Sequence, residues 1–222
     1  MIKKIVAIMI ALTLGFSSAQ AGKDEDLKVL QSAKALKDLL NLPENAIPPI
    51  LFEKAYAIAI IPSTIKVGLL FGGQYGNGVI CVKDDNGVWG NPVFITLMEG
   101  SFGLQLGASS SDLVLAFKTK RAVDGLITSK LTLGLDASVA AGPVGREVGV
   151  NGDIFFEQEV YTYAMTKGLY LGLSLAGSSL MVDEGANTRF YGHDATPTDI
   201  FNNYQIKAPA VVDTLKLIFN GQ

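Results

Sequence analysis

Three stretches of this chain share one alternation, and it limits what they can fold into. Lys130 to Arg146 reads KLTLGLDASVAAGPVGR, where Leu131, Leu133, Leu135, Ala137 and Val139 alternate with Thr132, Gly134, Asp136 and Ser138. Ser101 to Ser109 (SFGLQLGAS) and Gly168 to Ser178 (GLYLGLSLAGS) repeat the design, with Leu on one side and small or polar residues on the other. Successive side chains of a strand point to opposite faces, so a period of two predicts strands with one apolar face. The first run breaks at Gly142-Pro143-Val144-Gly145-Arg146, which reads as a turn. Such a turn can present backbone N–H groups and Arg146 to an anion, or simply round a corner; the corner is the reading adopted.

Around these strands the chain punctuates itself clearly. Lys23 to Asn41 predicts a helix, because Val29, Ala33, Leu36 and Leu40 fall at i, i+4, i+7 and i+11, flanked by Leu30 and Leu39. Asp24, Glu25 and Asp26 suit the positive end of its dipole. Packing on the domain's own sheet is preferred over contact with lipid, since lysines and acids balance along it. A short helix follows from Pro49 to Lys54, and Ala55 to Ile61 is a buried strand ending at Pro62. Gly72 to Gly78 departs from the spacing of a nucleotide loop and reads as a glycine-rich bend between strands. Asp84-Asp85-Asn86-Gly87 is a hairpin turn, Asp112 to Phe117 an apolar run, and Thr119 to Ile127 a short helix. Val160 to Met165 and Gly168 to Ser178 form a hairpin that Ser179 to Val182 continues outward. Thr196-Pro197-Thr198-Asp199 starts a further helix, and Val211, Leu215 and Ile218 stripe the last one. About ten strands and four helices with short connections predict a largely antiparallel sheet.

Composition narrows the class. Hydrophobic residues make up 49% and charged ones 18%, which supports a packed core rather than disorder. Lys3 and Lys4, the apolar run Ile5 to Phe16 and the A-x-A pattern at Ala19-Gln20-Ala21 together predict a secretory signal peptide over residues 1–21. Cleavage there leaves residues 22–222 as one domain, periplasmic or secreted. It also takes the formal net charge from −3 to −5, because two lysines and no acids are removed. A mature chain this acidic is a poor nucleic-acid binder. Cys81 is the one cysteine, so no intramolecular disulfide forms.

Several blocks, taken in order, resemble one known family. They are Tyr56-Ala57-Ile58-Ala59-Ile60-Ile61-Pro62-Ser63, Gly72 to Gly78, Trp89-Gly90-Asn91-Pro92 and Gly100 to Gly107. Ser111-Asp112, Gly134 to Arg146, Lys167 to Leu175 and Phe190-Tyr191-Gly192 complete the set. Over about Leu27 to Leu217 the chain is similar to the SYLF family of lipid-binding modules. The resemblance implies an α+β domain with a curved, barrel-like, largely antiparallel sheet, a lipid-facing first helix and no catalytic activity or cofactor. Eukaryotic members sit beside SH3 or FYVE domains and bind phosphoinositides, and yeast forms engage actin; bacterial members are commonly secreted or lipoproteins. What carries over to a periplasm is affinity for anionic phospholipid head groups. One departure is Ala176 in Ser174-Leu175-Ala176-Gly177, where members often carry Glu.

Candidate residues follow from charge. Lys118, Lys120, Arg121 and Lys130 gather around the Thr119 helix with Asp124 as the one acid among them, and Arg146 joins them from the glycine turn. Lys28, Lys34 and Lys37 on the first helix are a second set for head-group phosphates. Catalysis has little to build on. His193 is the one histidine, which leaves no histidine-rich metal site, and a hydrolase of unknown type would need Cys81, set among Val and Ile, as its nucleophile. Asp112, Asp136 and Asp153 read as turn or sheet-end residues rather than a carboxylate cluster. An outer-membrane β-barrel shares the leader and the alternation, but the helical segments and the doubly apolar run Tyr56 to Ile61 argue against it. The expected function is therefore a non-enzymatic, membrane-associated lipid binder.

Overall fold

The computed structural model describes residues 22–42, 47–68, 71–102, 107–128, 130–142, 157–171, 173–193, 195–202 and 206–221. The leader, Pro143 to Arg146 and Asp153 lie outside the described residues. Helix α1 covers residues 22–40, and α2 is Pro49–Lys54. Four long strands follow: β1 (Ala57–Gly68), β2 (Phe71–Val82), β3 (Val93–Phe102) and β4 (Gly107–Phe117). Next come α3 (Lys120–Thr128) and the short strands β5 (Lys130–Thr132) and β6 (Val139–Ala141). The chain then forms β7 (Val160–Thr166), β8 (Leu169–Leu171), β9 (Ser179–Val182), α4 (Glu184–Tyr191), α5 (Pro197–Phe201) and α6 (Val212–Asn220). All strands join one sheet in the order β5-β9-β3-β2-β1-β4-β7-β6, with β8 on β7. Every pairing is antiparallel except β6 with β7, so the α+β, curved and largely antiparallel expectation holds.

The order of strands dictates the curl. β5 and β6 lie at opposite ends of the sheet, yet only residues 133–138 separate them in the chain. Seven strand spacings of about 4.8 Å would put those edges about 34 Å apart in a flat sheet, whereas the seven steps from Thr132 to Val139 reach about 25 Å at full stretch. The connection is in fact folded back: Gly134 N donates to Ala137 O at 2.7 Å and Leu135 N to Thr132 O at 3.2 Å. At one end Leu133 N donates to Ser178 O, and at the other Val160 N donates to Ser138 O. The sheet must therefore curl until its edges meet this bridge.

Lys130 to Arg146 is accordingly not the single strand its alternation predicts. Gly134 takes a φ of +86, a conformation that costs a side chain and interrupts the pleat, and Leu135 is 83% exposed. The other two alternating stretches are divided as well. Ser101 to Ser109 holds the end of β3 and the start of β4, with residues 103–106 outside the described set. Among its described residues, Gly168 to Ser178 yields β8 alone, entered by the positive-φ pair Lys167 and Gly168. Ser179–Val182 then pairs with β3 and β5 on the far side of the sheet rather than prolonging the hairpin.

Two apolar layers result. The inner one gathers Leu131 and Leu180 from one edge and Val160 and Ala164 from the other, with α3 and α5 packed on it. The outer one holds Ile58, Ile60, Val79, Cys81 and Val114 under α1, α2, α4 and α6. An integral barrel turns that outer face to lipid; here helices cover much of it, as in the packed α+β domain expected. The stripe Val29, Ala33, Leu36 and Leu39 packs α1 on the sheet, while Leu30 is exposed. α4 is a helix that the hydrophobic pattern does not reveal.

β1 also runs beyond Pro62, through a bulge between Ile61 and Thr64. Ser63 there has a φ of 51, and its N–H donates to Asp112 Oδ1 at 2.8 Å. Gly72 to Gly78 is strand throughout rather than a bend. Its glycine at position 78 lies against the bulge, where a Cβ would come 2.1 Å from Ile60 O. Gly78→Ala should therefore cost about 1–3 kcal/mol or more by overpacking. Gly100→Ala, which meets open space, should change stability by no more than about 0.5 kcal/mol. Urea unfolding of both variants checks this, and equal midpoints would contradict the close packing.

Candidate functional site

The four long strands outrun their helical cover. On the outer face, Val79 opposite Phe94 lies within the buried layer, Asn77 opposite Thr96 at its margin, and Tyr75 opposite Met98 beyond it. Ile65 pairs with Tyr75 on the other side, so three large side chains stand side by side, with Cβ atoms about 4.5–5.5 Å apart across each pair. Ile65 is 54% exposed, Val67 51%, Tyr75 51% and Met98 47%. The opposite face of the same strands is sealed by Thr64 and Gln74, both buried. A contiguous apolar face with this much exposure marks an interaction surface.

The basic residues named from the sequence are mostly engaged. Lys120 Nζ lies 2.6 Å from Asp124 Oδ1, one helical turn on. Arg121 grips Glu159 with both Nε and Nη2. Burial alone would raise the Glu159 carboxyl, but hydrogen bonds from Arg121, Ser138 N and Thr119 outweigh it and hold the pKa below the usual range. Lys118 sits beside this group through its backbone, donating to Glu159 O. Lys130 is exposed on β5, beyond the end of α3 opposite to Lys120. Arg146 lies outside the described residues. On α1, Lys34 is exposed and paired with Asp38, and Lys37 is exposed. Lys28 differs: half-buried, with no ion pair among the described residues, it has its pKa lowered by desolvation.

Of the residues named for catalysis, Cys81, Asp112 and Asp136 have structural placements. Cys81 is buried, and burial pushes its thiol well above the ordinary range, so a thiolate is not on offer. His193 is exposed. Asp112 holds the β1 bulge, and Asp136 accepts from Thr132 N at 2.7 Å in the closing turn. Among the described residues no three His, Cys, Asp or Glu side chains are grouped to hold a metal ion.

Two features escaped the charge-based reading. The exposed strand ends carry no charge signature, although Ile65-Lys66-Val67 does alternate. Glu25, read as a dipole acid, is instead buried and receives Arg189 Nε at 2.7 Å from α4. Asn187 fixes α4 for this contact by exchanging hydrogen bonds with both N and O of Phe94, extending the β3 edge with a side chain.

Residues 98–221 match the family described as Ysc84, Las17-binding protein actin regulator. Protein YSC84 of Saccharomyces cerevisiae is 32% identical over 182 residues, 81% of this chain and 38% of its own length. SH3 domain-containing YSC84-like protein 1 of Xenopus laevis is 35% identical over 170 residues, covering 74% of this chain and 50% of that protein. The Bos taurus protein of the same name is 33% identical over 191 residues, 83% of this chain and 55% of its own. The chain thus spans about half the length, or less, of these relatives.

The Glu159 contacts carry a pH dependence with a definite sign. A carboxyl whose folded pKa is depressed stabilises the fold above its unfolded value, about 4.3, and that stability is lost as pH falls through the folded value. Arg121→Ala should flatten the rise in urea midpoint between about pH 3 and 5, by no more than about 1 kcal/mol because the pair is partly exposed. An unchanged pH profile would contradict the assigned role of Arg121.

Proposed function

The chain belongs to the Ysc84 (SYLF) family, and from that premise we propose that it is a non-enzymatic protein that binds anionic lipid surfaces. The observation that carries this reading is the half-exposed face of Ile65, Val67, Tyr75 and Met98 at the uncovered strand ends. Tyr75 suits a membrane interface, with an apolar ring and a polar tip.

Magnitudes decide what else is needed. Burying the exposed halves of four such side chains gains roughly 1 kcal/mol each, which alone corresponds to about millimolar affinity. Stable attachment then draws on lipid charge, worth about 1 kcal/mol for each Lys or Arg near an anionic surface. Lys66 on β1 lies nearest the apolar face in sequence, and Lys130 is exposed on β5. Lys120 and Arg121 would first have to give up Asp124 and Glu159. The leader-like residues 1–21 support a periplasmic or secreted location. The actin and Las17 wording describes the family, whose relatives reported above are longer than this chain, and it is not carried over.

Flotation of the mature protein with anionic and neutral liposomes at low and high salt tests this reading. Tyr75→Ser with Met98→Ser should weaken binding about tenfold or more, whereas Lys118→Glu with Lys120→Glu should have a smaller effect, confined to anionic lipid at low salt. A wild-type protein that floats with neither lipid would sink the reading.

A further inference from the structure

Beside the apolar strand ends, a cavity of about 240 Å³ opens between α1, α4 and the β2–β3 pair. Glu25, Lys28, Asn77, Phe94, Asp183 and Arg189 supply the walls that matter here. Two side chains of opposite sign line it with bonding capacity to spare among the described residues. Glu25 is 4% exposed; Arg189 takes its Oε1, but Oε2 is buried with no hydrogen-bond donor. Lys28 follows one turn later on the same helix, half-buried, with no ion pair among the described residues. A buried carboxylate oxygen left without a donor is costly, and a desolvated ammonium lacks the counter-charge that would offset its burial.

The lining also says what would complete it. An anion alone would approach Lys28 and Arg189 but meet the carboxylates of Asp24, Glu25 and Asp183. A cation alone would meet the reverse. A single water is too small, since at about 30 Å³ each the cavity takes about eight, close to the number of heavy atoms in phosphoethanolamine. Glu25 and Lys28 are three residues apart on one helix, with Cβ atoms about 5–6 Å apart, a spacing a two-carbon linker between opposite charges can bridge.

We propose that this cavity binds a compact zwitterion, whose primary ammonium pairs with the Glu25 carboxylate and whose phosphate oxygen accepts from Lys28 Nζ. The inference goes beyond the lipid-surface reading, because free phosphoethanolamine carries the same groups as a phosphatidylethanolamine head. The lipid source is also geometrically open: Tyr75 and Met98 lie one residue pair beyond Asn77 and Thr96 on the same face, about 7 Å along the strands.

Calorimetric titration of the mature chain with phosphoethanolamine, phosphocholine and glycerol 3-phosphate tests it. Phosphocholine keeps both charges but has no N–H for Glu25, and glycerol phosphate has no cation. Phosphoethanolamine should bind about tenfold or more tightly than either. Lys28→Met, at a partly exposed position with no ion pair among the described residues, should keep the thermal unfolding midpoint and weaken binding about tenfold; Glu25→Gln should do the same if it folds. No heat from phosphoethanolamine, equal affinity for phosphocholine, or an unaffected Lys28→Met variant each overturns the proposal. With binding established, tighter association with phosphatidylethanolamine than with phosphatidylcholine vesicles assigns a lipid source, and equal association a soluble one. Tyr75→Ser with Met98→Ser leaves the soluble titration intact, so failure of the lipid-surface reading and failure of this one are separable.

Discussion

The six residues between β5 and β6 are the constraint on which the rest of the structure depends. They tie the two outermost strands of an eight-strand order, and their short reach forces the sheet to curl. Ser138 shows how firmly the bridge is held. Its O accepts from Val160 N, its Oγ from Glu159 N, and its own N–H donates to the Glu159 carboxylate that Arg121 also grips. Curling commits one sheet face to an interior filled from both edges, and leaves the other face to be covered by helices. That cover is incomplete. α1, α2, α4 and α6 reach the level of Val79 and Phe94, and the ends of β1 to β4 continue past them. The surface proposed to meet lipid is thus a consequence of closure combined with strands of ten to twelve residues.

Local signals in the sequence are legible where local physics decides. The apolar stripe of α1, the Pro at the start of α2 and the capping box of Thr196 with Asp199 all appear as expected. Features that a particular partner strand decides are not legible locally. Period-two alternation in Lys130 to Arg146 is compatible with a long strand, and only the pairing of β5 with β9 and β6 with β7 shows that it must break at Gly134. Gly72 to Gly78 resembles a bend because the bulge that requires Gly76 and Gly78 to lack side chains lies on another strand, after Pro62. α4 hid for a related reason: its Asn187 is buried to serve the β3 backbone, not an apolar stripe.

The candidate sites were legible to a lesser degree. Lysines stand out in a sequence, but their counter-ions do not, and Arg121 found Glu159 from 38 positions away. Of the seven candidate cations among the described residues, Lys28 is the one whose surroundings make it unusual, through burial beside Glu25 rather than through local charge density. Arg189, 164 residues from Glu25 in the chain, could be joined to it only by the fold. Exposure of Tyr75 and Met98 was equally invisible, since it depends on how far the helices extend over the sheet. The single cysteine, by contrast, was read correctly as a small buried apolar residue.

Depth in the bilayer tests the central claim most directly, because association alone does not show which surface enters lipid. Trp89 is buried and serves as an internal reference, so a Met98→Trp variant adds one reporter at the strand ends. On vesicles containing lipids brominated near the head-group end of the acyl chains, the added emission should be quenched while that of Trp89 is not. Quenching of neither indole on vesicles that bind the protein would contradict insertion of this face and direct attention to another part of the surface.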